Sequence, residues 1–386
     1  MLGRVPYAWL QLSHEKLRLL AAVGGISFAV VLVFMQLGLR EALFDSAVRL
    51  HQRMDYKLIM LSPRTTFLAQ ARSFPRNRLF QVAGVDGVAS VSPLYMHLAA
   101  LYYENSPNTH RKALAIGIDP SDDNITIAGV NNFMQRLREP DTLIMDRYAR
   151  KEFRPIIADH SAGKPVELQL NERHVELIGL YGLGTSFGVD ASIITSDLNF
   201  RRIFPNRPAG NIDLGLIRIE PGQDIEALRA EISAFLPGDV IVLTQAEYVQ
   251  REVDYWNGAT PIGYIFTLGA VIGVLVGVII VYQILYSDVT THLPEYATLK
   301  AIGYTNGYLT RLVLQEAAIL SVLGFLPALG LAMLLYSQAA AATQLPLIMT
   351  PERAITVFVL TLFMCALSGL IAVRKLKTID PAEVFA

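Results

Sequence analysis

Four runs of this sequence are almost free of charge, and they constrain everything else. Leu19–Leu39, Ile262–Tyr286 and Ala354–Val373 contain no Asp, Glu, Lys or Arg, and Leu312–Tyr336 contains only Glu316. Each holds 20 or more residues. At about 1.5 Å per helical residue, such a run covers roughly the 30 Å of a bilayer's hydrocarbon. Backbone polar groups in lipid must be satisfied within the segment, so each run is expected to be a transmembrane helix. Composition agrees. The 386 residues are 52% hydrophobic and only 17% charged, against about 25% charged in an ordinary soluble chain.

The first run could instead be a cleaved signal peptide, but such a core is shorter and is followed by a small-residue cleavage site. Arg40-Glu-Ala-Leu-Phe-Asp-Ser-Ala continues a helical pattern, with Leu43, Phe44 and Ala47 on one side. An uncleaved span extended by a stalk helix is the expectation. Residues 1–18 mix Val5, Tyr7, Trp9, Leu10 and Leu12 with Arg4, His14, Lys16 and Arg18, the pattern of an interfacial amphipathic helix. Arg4, Lys16 and Arg18 precede span one, Lys300 and Arg311 lie between spans two and three, and Arg374, Lys375 and Lys377 follow span four. The short loop between spans three and four has only Arg353. The positive-inside rule therefore places both termini and the 287–311 segment in the cytoplasm.

The organisation that follows is a cytoplasmic amphipathic segment (1–18), a first span (19–39), an extracytoplasmic domain with stalk helices (40–260) and a second span (261–286). A cytoplasmic segment (287–311), a third span (312–336), a short outer loop (337–353), a fourth span (354–373) and a cytoplasmic tail (374–386) complete it. The fold class is thus membrane α-helical with four transmembrane helices plus an α+β extracytoplasmic domain. In that domain Lys57–Leu61, Val88–Leu94, Ala99–Tyr103 and Lys112–Ile118 read as strands, and Arg76–Ala83 as a helix. Later come a strand at Leu214–Ile219, a helix at Asp224–Phe235 and a strand at Val240–Leu243. The pieces 55–119 and 211–244 are expected to share one mixed sheet, interrupted by a β-rich insertion over about 120–210. Thr244-Gln-Ala-Glu247 is a capping box that starts a second stalk helix leading toward Pro261.

Chemistry-bearing motifs are scarce. No Gly-x-x-x-x-Gly-Lys-[Ser/Thr] loop occurs, since Gly163-Lys164 is followed by proline, so the chain is not expected to be an ATPase or any other enzyme. The glycine-rich Gly179–Gly188 lacks dinucleotide spacing and reads as a strand and turn. The seven histidines are dispersed and Cys365 stands alone, so no metal, cofactor or intramolecular disulfide is expected. A net charge of −1 gives no field for nucleic acid. Gly269, Gly273 and Gly277 recur every fourth residue in span two, a spacing that lets helices approach closely, either within the chain or across a dimer. Glu316 is an intramembrane polar candidate by position, though Arg311 is about one turn away and a structural role at the interface fits equally.

Between spans two and three, Pro294 can open a short helix and Gly303 can close it. Tyr296, Leu299 and Ile302 fall on one side, with Glu295 and Lys300 polar. So short a helix needs the bilayer surface or a protein partner. Glu-Tyr-Ala-Thr-Leu-Lys-Ala-Ile-Gly (295–303) resembles the cytoplasmic coupling segment of the FtsX/MacB-type ABC transporter permeases, and within them the DevC permeases of cyanobacteria. The resemblance extends to Trp-Leu-Gln-Leu-Ser-His (9–14), Pro-Ile-Gly-Tyr-Ile-Phe (261–266), Gly-Val-Ile-Ile-Val-Tyr-Gln (277–283) and Arg-Lys-Leu-Lys-Thr-Ile-Asp-Pro-Ala-Glu-Val-Phe (374–385). It implies a homodimeric permease in the membrane lipid of a cell inner (plasma) membrane, coupled through Glu295, Tyr296, Leu299, Lys300, Ile302 and Gly303 to a separate ABC ATPase (DevA-like). A periplasmic adaptor (DevB-like) and a TolC-type outer-membrane protein would complete an exporter of glycolipid or another amphiphile. A lipoprotein-releasing permease of the LolC/LolE type and an FtsX-like signalling permease that activates a cell-wall hydrolase are the other readings the family allows.

Overall fold

The computed structural model of the chain describes residues 14–122, 125–184, 186 and 188–377, apart from the side chains of 106–110 and 375–377. Most of the amphipathic segment expected at 1–18, and the tail from 378 onward, lie outside the described residues. The chain divides into two compact units. One comprises Met1–Glu41, Ile262–Ala339 and Leu347–Ala386, and the other Ala42–Pro261 and Ala340–Pro346.

Helix α1 (Lys16–Gln52) is unbroken over 37 residues, about 55 Å of helix, so the apolar run and its continuation are one element. The strands of the second unit follow in chain order: β1 (Leu58–Leu61), β2 (Phe74–Pro75), then helix α2 (Asn77–Val82), β3 (Val88–Tyr103) and β4 (Ser106–Ile118). Next come β5 (Thr142–Asp146), α3 (Arg154–Ser161), β6 (Glu167–Leu170), β7 (Arg173–Tyr181), β8 (Ala191–Ser196) and α4 (Asp197–Ile203). The unit ends with β9 (Asn211–Ile212), β10 (Leu214–Ile219), α5 (Ile225–Phe235), β11 (Ile241–Thr244) and α6 (Gln245–Asp254).

Nine strands form one sheet in the order β11-β1-β10-β3-β4-β8-β5-β7-β6, while β2 pairs with β9. The far end of β3 also pairs with β6, Leu101 opposite Leu170. Strands β3, β4, β8, β5, β7 and β6 therefore close on themselves, and β3 is shared with the open sheet β11-β1-β10-β3. This differs from the expected division near residue 120. Val88–Tyr103 is one strand rather than two, because no Gly interrupts it and its apolar residues find cover along its whole length. The β-rich part begins inside β3.

All four residues of β1 are buried. Their side chains alternate, Leu58 and Met60 into one core with α2, α4 and α5, Ile59 and Leu61 into another with Leu50, Tyr56 and Tyr248. A strand covered on both faces reads as a continuous apolar run, and each such side chain contributes about 1.5–3 kcal/mol of burial.

Helix α6 opens on the capping box. The Thr244 hydroxyl accepts from the Glu247 amide at 3.1 Å, and the Glu247 carboxylate accepts from the Thr244 amide at 2.8 Å. As the sequence suggested, it leads toward Pro261. A π-helical turn at Tyr255–Ala259 intervenes, and Thr260 is extended (φ −119°, ψ 153°) before Pro261 opens the next helix. The ring of Pro261 disfavours helical backbone at the residue before it.

The remaining helices are α7 (Pro261–Thr291), α8 (Leu293–Ala301), α9 (Asn306–Thr343) and α10 (Pro351–Lys377). Together with α1, the helices α7, α9 and α10 are long and apolar enough to cross a membrane. Their shared core contains Ile26, Val30, Phe34, Val281, Leu285, Leu320 and Cys365.

Candidate coupling site

Helix α8 is held by its own sequence. Pro294 occupies its first turn, Glu295 and Lys300 sit at the ends that suit their charges, and Gly303 adopts φ +108°. That left-handed position lets the Tyr304 amide reach the Leu299 carbonyl at 3.1 Å and the Gly303 amide reach Lys300 at 3.1 Å, satisfying carbonyls the helix end leaves open. Tyr296 and Ala297 are buried. Tyr296 packs with Val289, Leu309, Leu312, Val313 and Val373, and Leu299 lies partly buried at the edge of that cluster.

The expected apolar face is therefore split. Tyr296 and Leu299 point inward as the helix's footing, whereas Ile302 is 72% exposed. Glu295 and every residue from Ala301 to Tyr308 are exposed, with Lys300 intermediate. Tyr304 and Tyr308, at 44% and 41% exposure, set their rings 4.6 Å apart. The sequence reading missed these two tyrosines. Their spacing of four, just after the helix-ending Gly303, was the available signal.

Glu316 is fully buried. Its carboxyl lies beside the Asp288 carboxyl and the Tyr296 hydroxyl, while Arg18 Nη1 stands 3.8 Å and His292 Nδ1 3.6 Å from Asp288. The one acidic residue in the apolar runs is thus gathered with the ends of α7 and α1 and the inner face of α8. The glycine stripe packs within the chain. A Cβ at Gly269 would come 2.5 Å from Gln36, one at Gly273 3.1 Å from Val33, and one at Gly277 would overlap Met364 and approach Ala29.

In the other unit the end of α1 and the start of α6 are tied together. Gln245 Nε2 donates to the His51 carbonyl at 2.8 Å. The buried His51 ring stands edge-on to Tyr248 at 4.4 Å, with its Nδ1 2.9 Å from the Tyr56 hydroxyl. Arg49 donates to the Leu183 carbonyl at 3.3 Å and lies against Gly184 (φ +96°), where a side chain would collide with it. The buried Asp146 carboxylate accepts from the Leu183 and Gly184 amides at 3.2 and 2.8 Å, and burial holds its pKa above the usual value. As far as Gly184, the glycine-rich stretch is a strand end and loop set against Arg49 of α1.

A cleft of about 650 Å³ lies among His97, Asn171, Arg173, Arg202, Phe204 and Arg207. Its guanidinium groups are already engaged. Arg173 and Arg202 both hold Asp141, at 3.0 and 2.7 Å, and Arg207 pairs with the buried Asp213. The Arg173 hydrogen bonds keep the Asp141 carboxyl below its usual pKa. Among the described residues, no three His, Cys, Asp or Glu side chains are grouped to hold a metal.

Two family models match the chain: the MacB-like periplasmic core domain over residues 19–235 and the FtsX-like permease C-terminal domain over 267–381. Among solved structures, the periplasmic region of MacB from Actinobacillus actinomycetemcomitans is 10% identical with a TM-score of 0.37, covering 52% of this chain and 94% of that one. The extracellular domain of the noncanonic ABC-type transporter YknZ from Gram-positive bacteria is 14% identical with a TM-score of 0.33, covering 49% of this chain and 98% of that one. No curated protein matches.

Proposed function

This chain belongs to the family of the MacB-like periplasmic core domain, matched over more than half its length, and is an ABC-type permease subunit; from that premise we propose that it works as a homodimeric exporter by mechanical transmission. A separate ATPase (DevA-like) docks on the cytoplasmic side, and its closure moves α8. That movement passes through the spans into the stalks α1 and α6 and reaches an outer domain, which acts with a periplasmic adaptor (DevB-like) and a TolC-type duct. The cargo is an amphiphile, glycolipid included, handled on the outer side.

The observation that carries this reading is the exposed run Ala301–Tyr308, with Tyr296 and Leu309 buried on either side of it. A surface offering Ile302, Tyr304 and Tyr308 on a firm footing suits a protein partner, since aromatic side chains dominate interface energetics. The interior of the spans supports transmission over passage. Buried Ser321, Thr361 and Ser368 donate their hydroxyls to carbonyls of their own helices at 2.7–2.8 Å. The void lined by Ala29, Val33, Val274 and Met364 measures about 10 Å³, room for one water at most.

Capture of this chain from detergent-solubilised membranes tests the reading. Two copies with an ABC ATPase and an adaptor are expected. A cell-wall hydrolase in place of the adaptor would convert the reading to signalling, and absence of any ATPase would overturn it.

A further inference from the structure

Glu252 lies in the last turns of α6 and is almost wholly buried. Both of its oxygens are used. Oε2 accepts from the Leu68 amide at 3.0 Å and Oε1 from the Trp256 indole N–H at 3.1 Å. One carboxyl thus joins the Leu68–Gln70 turn to the π-helical segment that ends the second stalk. Aromatic rings close over the join. Phe67 stacks on Tyr255 at 4.7 Å, and Trp256 meets both rings edge-on at 5.3 Å. The join sits immediately before the extended Thr260 and the Pro261 helix start.

We propose that the Glu252 clasp is a proton-dependent tie between the Leu68 turn and the second stalk, held closed while the carboxyl is protonated and released as the carboxyl ionises. Opening would let water reach a carboxyl that the closed clasp keeps dry, and an ionised carboxylate gains far more from water than a neutral one. Among the described residues, two ionisable groups bear on it. Arg251, on the same helix, favours the ionised form but is occupied with the Pro63 and Thr65 carbonyls at 3.4 and 2.8 Å. Tyr248, also on α6 and backed by His51 and Tyr56, has its pKa pushed up by burial and stays neutral. From the Leu68 turn only an amide faces the carboxyl. Burial, partly offset by the Trp256 and Leu68 hydrogen bonds, raises the carboxyl to about 7, whereas in water it would titrate near 4.3.

The sign follows from that displacement. The closed clasp binds the proton more tightly than the open one, so closure is favoured at the acid end. The opening constant rises by about tenfold per pH unit across the middle of the interval and levels off above about 7. In a permease whose stalks carry movement outward, a reading this inference borrows from the proposed function, the stiffness of the lever would follow envelope pH.

The chain has two tryptophans, so Trp9→Phe leaves Trp256 as the sole indole reporter. In the full-length purified chain without its ATPase, Trp256 emission is expected to titrate with a midpoint between about pH 4.3 and 7. Glu252→Gln, which keeps an acceptor but cannot ionise, is expected to abolish that transition. Hydrogen exchange of the Leu68 amide, corrected for intrinsic rate, should rise across the same interval in the parent chain, a readout independent of the variant's folding. A flat emission profile between pH 5 and 9, a transition that survives Glu252→Gln, or pH-independent exchange at Leu68 would each overturn the proposal. Because no ATPase or cargo is present, failure here leaves the transport reading untouched.

Discussion

The Gln245 side chain donates to the His51 carbonyl at 2.8 Å, so the far end of the first stalk and the near end of the second are bound to each other within one chain. If the two helices act as stalks, as proposed, this tie is expected to make those of one chain move as a pair.

Cysteines at Phe44 and Val249, in a background where the buried Cys365 is replaced by serine, test this. Cross-links between two chains are expected to abolish export while ATP hydrolysis largely persists. A cross-link within one chain, adding to a tie already present, should leave most export intact. Non-reducing electrophoresis separates the two products by size. Normal export with the stalks locked between chains would show that cargo takes another route.

The coupling surface gives a paired prediction. Ile302→Asp places a charge on the exposed run and should lower ATPase recruitment and stimulation several-fold with insertion and thermal stability unchanged. Leu299→Asp buries a charge at the edge of the Tyr296 cluster and should instead destabilise the chain itself. Full ATPase stimulation with Ile302→Asp would return the segment to an interfacial helix with no docking role.

The glycine stripe predicts a stability effect rather than an assembly effect. Gly277→Leu forces a side chain into the space of Met364 and Ala29 and should cost about 1–3 kcal/mol, read as a lowered Tm in detergent. The dimer fraction of the folded protein should not change. Dissociation without loss of Tm would move the stripe to the dimer seam.

Topology follows from the charge asymmetry of the flanks. A reporter inserted near Pro140 should be extracytoplasmic, and reporters after Thr305 and at the C-terminus cytoplasmic. Cytoplasmic signal at Pro140 would invert the arrangement and remove any role for an adaptor.

Much of the architecture was legible in the residues alone. Runs of 20 or more uncharged residues have one solution in lipid, a helix, so the four long helices follow from hydropathy. The Thr244–Glu247 capping box and the helix-ending Gly303 were equally readable, because both rest on hydrogen bonds between residues at most five apart. Long-range partners carry no such local signature. Whether Gly269, Gly273 and Gly277 face span one or a second chain depends on which surface Gln36, Val33 and Met364 present, and spacing is silent on that. Tyr296 and Ile302 lie on the two edges of one side of the helical wheel, and one is buried and the other bare. The footing under α8 comes from Leu309, Val313 and Val373, some 13 to 77 residues later in the chain. Glu316 looked like an isolated charge until folding set it beside Asp288 and Tyr296. Glu252 drew no notice on an ordinary polar helix, and only its burial in the folded protein raised its pKa, against the opposing effect of the Trp256 and Leu68 hydrogen bonds. Local backbone chemistry and lipid solvation are written residue by residue, whereas the burial of a charge, and so its chemistry, is decided by what the fold packs around it.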